Sequence, residues 1–149
     1  MSMLYKKQTE ENAAPPDAAA VVPKRKITSI LAVDDVTFFL NALQTLLKET
    51  GYDLTCVDSG AAALRFLRNN NPDLFLLDIE MPEMNGYELA RKIRESGQKA
   101  PIIFLTANSS HNHVMKAVEA GAVDFIVKPI NKTHVINKIE KVIKAAKSK

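Results

Sequence analysis

Residues 74–77 read LFLL, apolar at every position, and the flanking segments place apolar residues at helical spacing. A strand with one wet face alternates apolar and polar residues, whereas a strand apolar throughout is covered on both faces. Such a strand belongs at the centre of a sheet with helices above and below it. The pattern recurs along the chain. Residues 27–33 (ITSILAV), 54–57, 102–105 and 123–127 are further short apolar runs with strand character. Between them, Phe39, Leu43, Leu46 and Leu47 form one helical stripe, closed by Gly51. Ala62, Leu64 and Leu67 form a second, with Asp58 or Ser59 as its cap and Asn69-Asn70-Asn71-Pro72 as its stop. Pro82 through Asn85-Gly86 reads as a loop, followed by a stripe of Tyr87, Leu89, Ala90 and Ile93 that ends near Gly97. Val114, Ala117 and Val118 mark a fourth helix closed by Gly121. In the last helix, Val135, Ile136, Ile139, Val142, Ile143 and Ala146 fall within an arc of roughly 120°, with Lys138, Lys141, Lys144 and Lys147 on its solvated flanks. Five strands alternating with five helices, over connections too long for hairpins, require parallel pairing through right-handed crossovers. The expected fold is α/β: an open five-stranded parallel sheet with helices on both faces.

The chain's 149 residues suit one domain. The folded part is expected over 27–149. Residues 1–26 read as a flexible extension, with Pro15, Pro16 and five alanines between positions 13 and 20 and no sustained periodicity. A leader and a short partner-binding motif are both compatible with that stretch. At 46% hydrophobic and 25% charged, the composition excludes a collagen or a wholly disordered chain. A lone cysteine, Cys56, excludes an internal disulfide and reads as a small buried residue. No apolar run approaches the ~20 residues of a membrane span, and no secretory signal stands at the start. The expected setting is the cytoplasm. The net charge of +3 invites a nucleic-acid reading, but its distribution removes it: residues 27–130 hold nine basic and thirteen acidic side chains, and the cationic excess lies at the two ends.

In an open α/β sheet the functional crevice lies beyond the carboxyl ends of the strands. There the chain places Asp34-Asp35 after strand one, Asp78 after strand three, Thr106 and Ala107 after strand four, and Lys128-Pro129 after strand five. Clustered carboxylates repel one another unless a cation neutralises them. Oxygen ligands with room for water suit Mg²⁺, with Mn²⁺ as the alternative. A lysine and a hydroxyl facing that metal are what a transferring phosphoryl group requires around its oxygens, and an aspartate beside it can act as nucleophile.

These residues carry a resemblance to the receiver domain of two-component response regulators. It rests on Val33-Asp34-Asp35, on the string LLDIEMPEMNG at 76–86 continuing through Tyr87-Glu88-Leu89, on Ile103-Phe104-Leu105-Thr106-Ala107, and on Gly121-Ala122 through Val127-Lys128-Pro129. The match keeps family order and spacing over residues 27–147. It implies a flavodoxin-like (βα)5 fold with strand order 2-1-3-4-5. It implies Asp78 as phosphoacceptor, and Mg²⁺ held directly by Asp35 and Asp78, through water by Asp34, and by the backbone carbonyl of Glu80. Lys128 pairs with Asp78 before phosphorylation and contacts the phosphoryl oxygens after it. Thr106 donates its hydroxyl to the phosphoryl group. Ala107 leaves the acceptor accessible, Pro129 follows a cis peptide bond that aims Lys128 inward, and Gly86 suits the turn into the third helix. Glu80 and Asn108 stand where the family tunes dephosphorylation, although Glu80 also reads as a plain loop glutamate. Phe125 stands at the family's switch aromatic and equally reads as core.

The implied function is a single-domain regulator of the chemotaxis or phosphorelay type. A histidine kinase or phosphotransfer protein phosphorylates it, and its helix 4, strand 5 and helix 5 surface addresses a protein effector. It is not an enzyme beyond its own phosphorylation and dephosphorylation, and neither nucleic acid nor membrane insertion is expected. Two other readings compete. One is a phosphate sink without effector. The other is a Mg²⁺-dependent aspartyl-phosphate phosphatase, which wants an aspartate where Glu80 stands. His111 and His113 offer too few ligands for a metal and read as surface residues, and Met81 and Met84 belong to the loop after Asp78.

Overall fold

Pairing of the apolar runs builds the molecule around one sheet. The computed structural model describes residues 27–107 and 111–147, with backbone alone at 111–113. The strands are β1 (Ser29–Val33), β2 (Asp53–Val57), β3 (Leu74–Asp78), β4 (Ile102–Thr106) and β5 (Asp124–Val127). The helices are α1 (Thr37–Leu47), α2 (Gly60–Phe66), α3 (Gly86–Glu95), α4 (His111–Glu119) and α5 (Lys132–Lys147). Each neighbouring strand pair is parallel, in the order β2-β1-β3-β4-β5. This is the order implied by the resemblance. β3 lies at the centre, and every one of its residues is buried, as its unbroken apolar run demands.

Two apolar layers cover the sheet. Ile30, Ala32, Leu74, Leu76, Ile103 and Leu105 face α1 and α5 through Leu40, Leu43, Val135, Ile139 and Ile143. Leu31, Val33, Phe75, Leu77, Ile102 and Phe104 face the other helices through Ala63, Leu89, Ile93 and Ala117. Alternate residues of one strand thus feed opposite layers, the period of two that a pleated strand imposes.

Local signals set most boundaries. Ser59, rather than Asp58, caps α2, its hydroxyl accepting from Ala62 N at 3.1 Å. Asn85 opens α3 with a reciprocal cap: its side chain accepts from Glu88 N (2.9 Å), and Asn85 N donates to the Glu88 carboxylate (3.0 Å). The apolar residues Ile27 and Val123 stay outside β1 and β5 and are exposed, so those strands begin later than the apolar runs do. On α5 the predicted stripe is buried or half-buried except Ala146, which is exposed. Lys138 departs from the expected solvated flank, lying half-buried with Nζ 2.8 Å from Asp124 Oδ1. Cys56 is half-buried, and burial pushes its thiol above the usual range. No described helix is long and apolar enough to cross a membrane. The extension at 1–26, Asn108 and the side chains of His111 and His113 lie outside the described residues.

Candidate functional site

Each apolar strand must stop somewhere, and at one edge of the sheet the stops are chemical. Asp34 follows β1, Asp78 and Thr106 are the last residues of β3 and β4, and Lys128 follows β5. Parallel pairing puts these ends on one rim. Carboxylate oxygens of Asp34, Asp35 and Asp78 lie within 4.8 Å of one another. Asp34 is fully buried and Asp78 is 5% exposed, while Asp35 is open to solvent.

Such a cluster needs positive charge, and Lys128 supplies it. Its Nζ donates to Asp34 Oδ2 at 2.7 Å and to Asp78 Oδ1 at 3.3 Å. The expected pairing of Lys128 with Asp78 is present, and the shorter bond to Asp34 adds to it. Asp34 is held at both oxygens, since Oδ1 accepts from Val36 N at 2.8 Å. That bond shapes the turn from β1 into α1, where Phe39 N and Leu40 N donate to Val36 O. α1 in turn brings Phe39 under the ammonium, its ring centroid 4.2 Å from Lys128 Nζ. The helical stripe gave Phe39 as a core residue, and nothing in its spacing marked it for the site.

Burial and the neighbouring Asp34 carboxylate push Asp78 up to about 6, against the counter-pull of Lys128. Lys128 is raised: burial lowers it, but its bonds to Asp34 and Asp78 more than compensate. The central carboxylate is therefore more basic than an ordinary aspartate, and the lysine stays cationic.

The second tier of predicted residues surrounds this centre. Thr106 is buried at 2% exposure, and its carbonyl accepts from Lys128 N at 2.7 Å, tying the ends of β4 and β5 together. The Lys128–Pro129 peptide bond is cis, as expected. Phe125 pairs in register with Phe104 and is half-buried, with Lys138 Nζ 5.7 Å from its ring. Glu80 is exposed, and its charge acts on Tyr87, whose hydroxyl is raised by burial first and by Glu80 second. Tyr87 itself meets Phe104 edge to face at 5.3 Å.

The loop after Asp78 folds back onto the site. Gly86 N donates to Ile79 O at 2.8 Å. A Cβ on Gly86 would collide with Asp78 O and meet Ile79 Cα at 2.8 Å, so α3 starts hard against the backbone of the central aspartate. The turn expected here needs its glycine for close approach rather than for a positive φ. Among the described residues, the non-glycine with positive φ is Glu83, at 69°.

With this geometry established, comparison with known proteins gives a consistent answer. The family profile described as the response regulator receiver domain matches residues 30–140. The chain is 35% identical over 115 residues to the chemotaxis protein CheY of Bacillus subtilis strain 168, covering 76% of this chain and 96% of CheY. It is 32% identical over 117 residues to the response regulator protein TodT of Pseudomonas putida, covering 78% of this chain and 52% of TodT. It therefore spans about half the length of that relative. Among solved structures it is similar to a CheY-like receiver domain protein of Methanospirillum hungatei, with a TM-score of 0.77, 28% identity, and coverage of 83% of this chain and 98% of that one. The Vibrio cholerae chemotaxis protein CheY4 gives a TM-score of 0.75 at 27% identity, covering 78% of this chain and 99% of CheY4.

Proposed function

The chain belongs to the response regulator receiver family of two-component signalling, and from that membership we propose that it accepts a phosphoryl group on Asp78 and converts it into a changed surface for a protein partner. The observation that carries this reading is the convergence of Asp34, Asp35, Asp78 and Lys128 on one rim, with the carboxyl of the buried Asp78 raised to about 6.

The donor set fits a hard divalent cation. It offers oxygen ligands alone, gathered within 4.8 Å, with Asp35 open to water. Asp35, Asp78 and the backbone carbonyl of Glu80 would hold Mg²⁺ or Mn²⁺ directly, and Asp34 through water. A cation bound there supplies positive charge to the phosphoryl oxygens and relieves repulsion among the carboxylates. Everything else is done by the chain. A carboxylate oxygen of Asp78 attacks phosphorus. The P–N bond of a phosphohistidine donor breaks, its electron pair stays on the imidazole nitrogen, which takes up a proton, and an acyl phosphate forms. Lys128 is already in hydrogen-bond reach of the attacking Asp78 and turns an N–H toward the incoming oxygens. Thr106 stands at the next strand end to donate its hydroxyl.

The donor is a histidine kinase or phosphotransfer protein, and the setting is the cytoplasm. Transmission runs through the β4–β5 junction. Movement of Thr106 and Lys128 toward the phosphoryl group leaves space that Phe125, half-buried against the core, turns inward to fill. The surface of α4, β5 and α5 then changes toward its effector. Phenylalanine has no hydroxyl, so this switch works by packing. Incubation with acetyl phosphate and Mg²⁺ tests the reading: intact mass should show one added phosphoryl group, absent without the cation. An unmodified protein after long incubation would remove it.

A further inference from the structure

A lysine ammonium has three N–H donors and no acceptor. Two of the Lys128 donors are taken by Asp34 Oδ2 and Asp78 Oδ1. On a further side of the nitrogen lies the ring of Phe39, centroid at 4.2 Å, well inside the range in which an aromatic face attracts a cation. The Lys128 side chain is only 20% exposed, so the ring occupies space that hydration would otherwise fill.

We propose that Phe39 is a positioning residue for phosphoryl transfer, its ring face holding the Lys128 ammonium beside Asp78; this rests on the proposed role of Asp78 as acceptor.

Asp34, Lys128 and Phe39 form one mechanical unit. One oxygen of Asp34 binds the ammonium, and the other fixes the turn that starts α1 and so places the ring. Packing alone does not require an aromatic here. α1 buries Leu40, Leu43 and Leu47, and a leucine at position 39 would fill a half-buried flank of the same layer. The aromatic contributes a face of negative potential without a fixed acceptor direction. The ammonium can therefore pivot from Asp78 Oδ1 to a phosphoryl oxygen while keeping its contact with the ring. A hydrogen-bond acceptor in that place would resist the pivot. A preorganised charge needs no reorganisation when the transferring group arrives, which is where rate is gained.

The test compares Phe39→Leu with Phe39→Tyr, which keeps a ring. NMR should show the Lys128 side-chain Hε protons of the wild type shifted upfield by the ring, a shift kept with tyrosine and lost with leucine. Labelling of Asp78 by acetyl phosphate at saturating Mg²⁺ should slow roughly fivefold with leucine and stay within about twofold with tyrosine. Failure of the wild type to label removes the acceptor role and this inference together. A wild type that labels, with a leucine variant equally fast or both variants equally slow, overturns the positioning role alone. The wild-type Hε shift is read on the unmutated chain, so its absence overturns the proposal even if the leucine variant fails to fold.

Discussion

Asp78 brings a carboxylate to a place where only 5% of the residue meets solvent, with a second carboxylate beside it. Its folded-state value of about 6 lies above the ordinary 3.8, so the native protein keeps this proton to higher pH than the unfolded chain does. Below about pH 4 both states are protonated and nothing is lost. Between about 4 and 6 stability falls as pH rises, and above about 6 the full cost remains, about 3 kcal/mol for this shift. In metal-free protein at pH 7.5, Asp78→Asn should therefore raise the unfolding free energy by about 1–3 kcal/mol, a gain that shrinks toward zero by about pH 4. Urea titration across pH measures it, and a pH-independent difference would contradict the assigned cause. Asp34 and Asp35 should separate in a second way. Asp35 is exposed, and Asp35→Asn should weaken Mg²⁺ binding severely with little change in folding stability. Asp34 is fully buried and bonded at both oxygens, so Asp34→Ala should weaken binding less but cost about 1–3 kcal/mol of stability by leaving Val36 N and Lys128 short of partners. Calorimetric Mg²⁺ titration beside urea denaturation checks the pair, and equal losses in both assays would contradict the division. At this scale Asp34, Asp35, Asp78 and Lys128 were legible because charge interrupted an apolar run. Phe39 was not, because a ring serving a cation has the same helical period as one serving the core.

Elements carry the site through the way they begin and end. α3 starts so close to β3 that a methyl group on Gly86 would collide with the backbone of Asp78 and Ile79. A methyl group on Gly60 would meet the flexible end of Met84 instead. Gly86→Ala should cost upward of about 2 kcal/mol and slow Asp78 labelling, whereas Gly60→Ala should be tolerated far better. Thermal melts and labelling rates of the two variants check this, and equal penalties would contradict it. The ends of β4 and β5 are joined by Lys128 N and Thr106 O, the junction through which the proposed switch would act. Thr106→Ala should still accept phosphate on Asp78, yet chemical shifts of residues 114–121 should no longer respond to it. A normal response would refute the coupling. Element existence was legible from periodicity; the α2 cap was narrowed to Asp58 or Ser59, whereas Asn85 read only as loop and caps α3. The strand starts were less so: Ile27 and Val123 are apolar but lie outside β1 and β5, and sequence does not say where a partner strand begins. Nor does a glycine say whether it is kept for its φ or, as at 86, for lack of a Cβ.

For the whole molecule, a central strand buried on both faces organises everything else. β3 fixes the two apolar layers, and its terminal residue is the one carboxylate that stands in the middle of the rim. The site is thus a property of the sheet's topology, and parallel order made it legible before any coordinates: polar strand ends gather only if the strands run the same way. Three carboxylates against the one ammonium of Lys128 leave the rim net negative. Mg²⁺ should therefore raise the melting temperature at pH 7.5 by several degrees, and the rise should be lost with Asp35→Asn.

The measurement closest to the central claim locates the phosphoryl group. Protein treated with acetyl phosphate and Mg²⁺ is reduced with borohydride, which converts an aspartyl phosphate to homoserine, and then digested for peptide mass analysis. Homoserine is expected at position 78 alone, with no conversion in Asp78→Asn. Conversion at Asp34, Asp35 or elsewhere with Asp78 intact would contradict it.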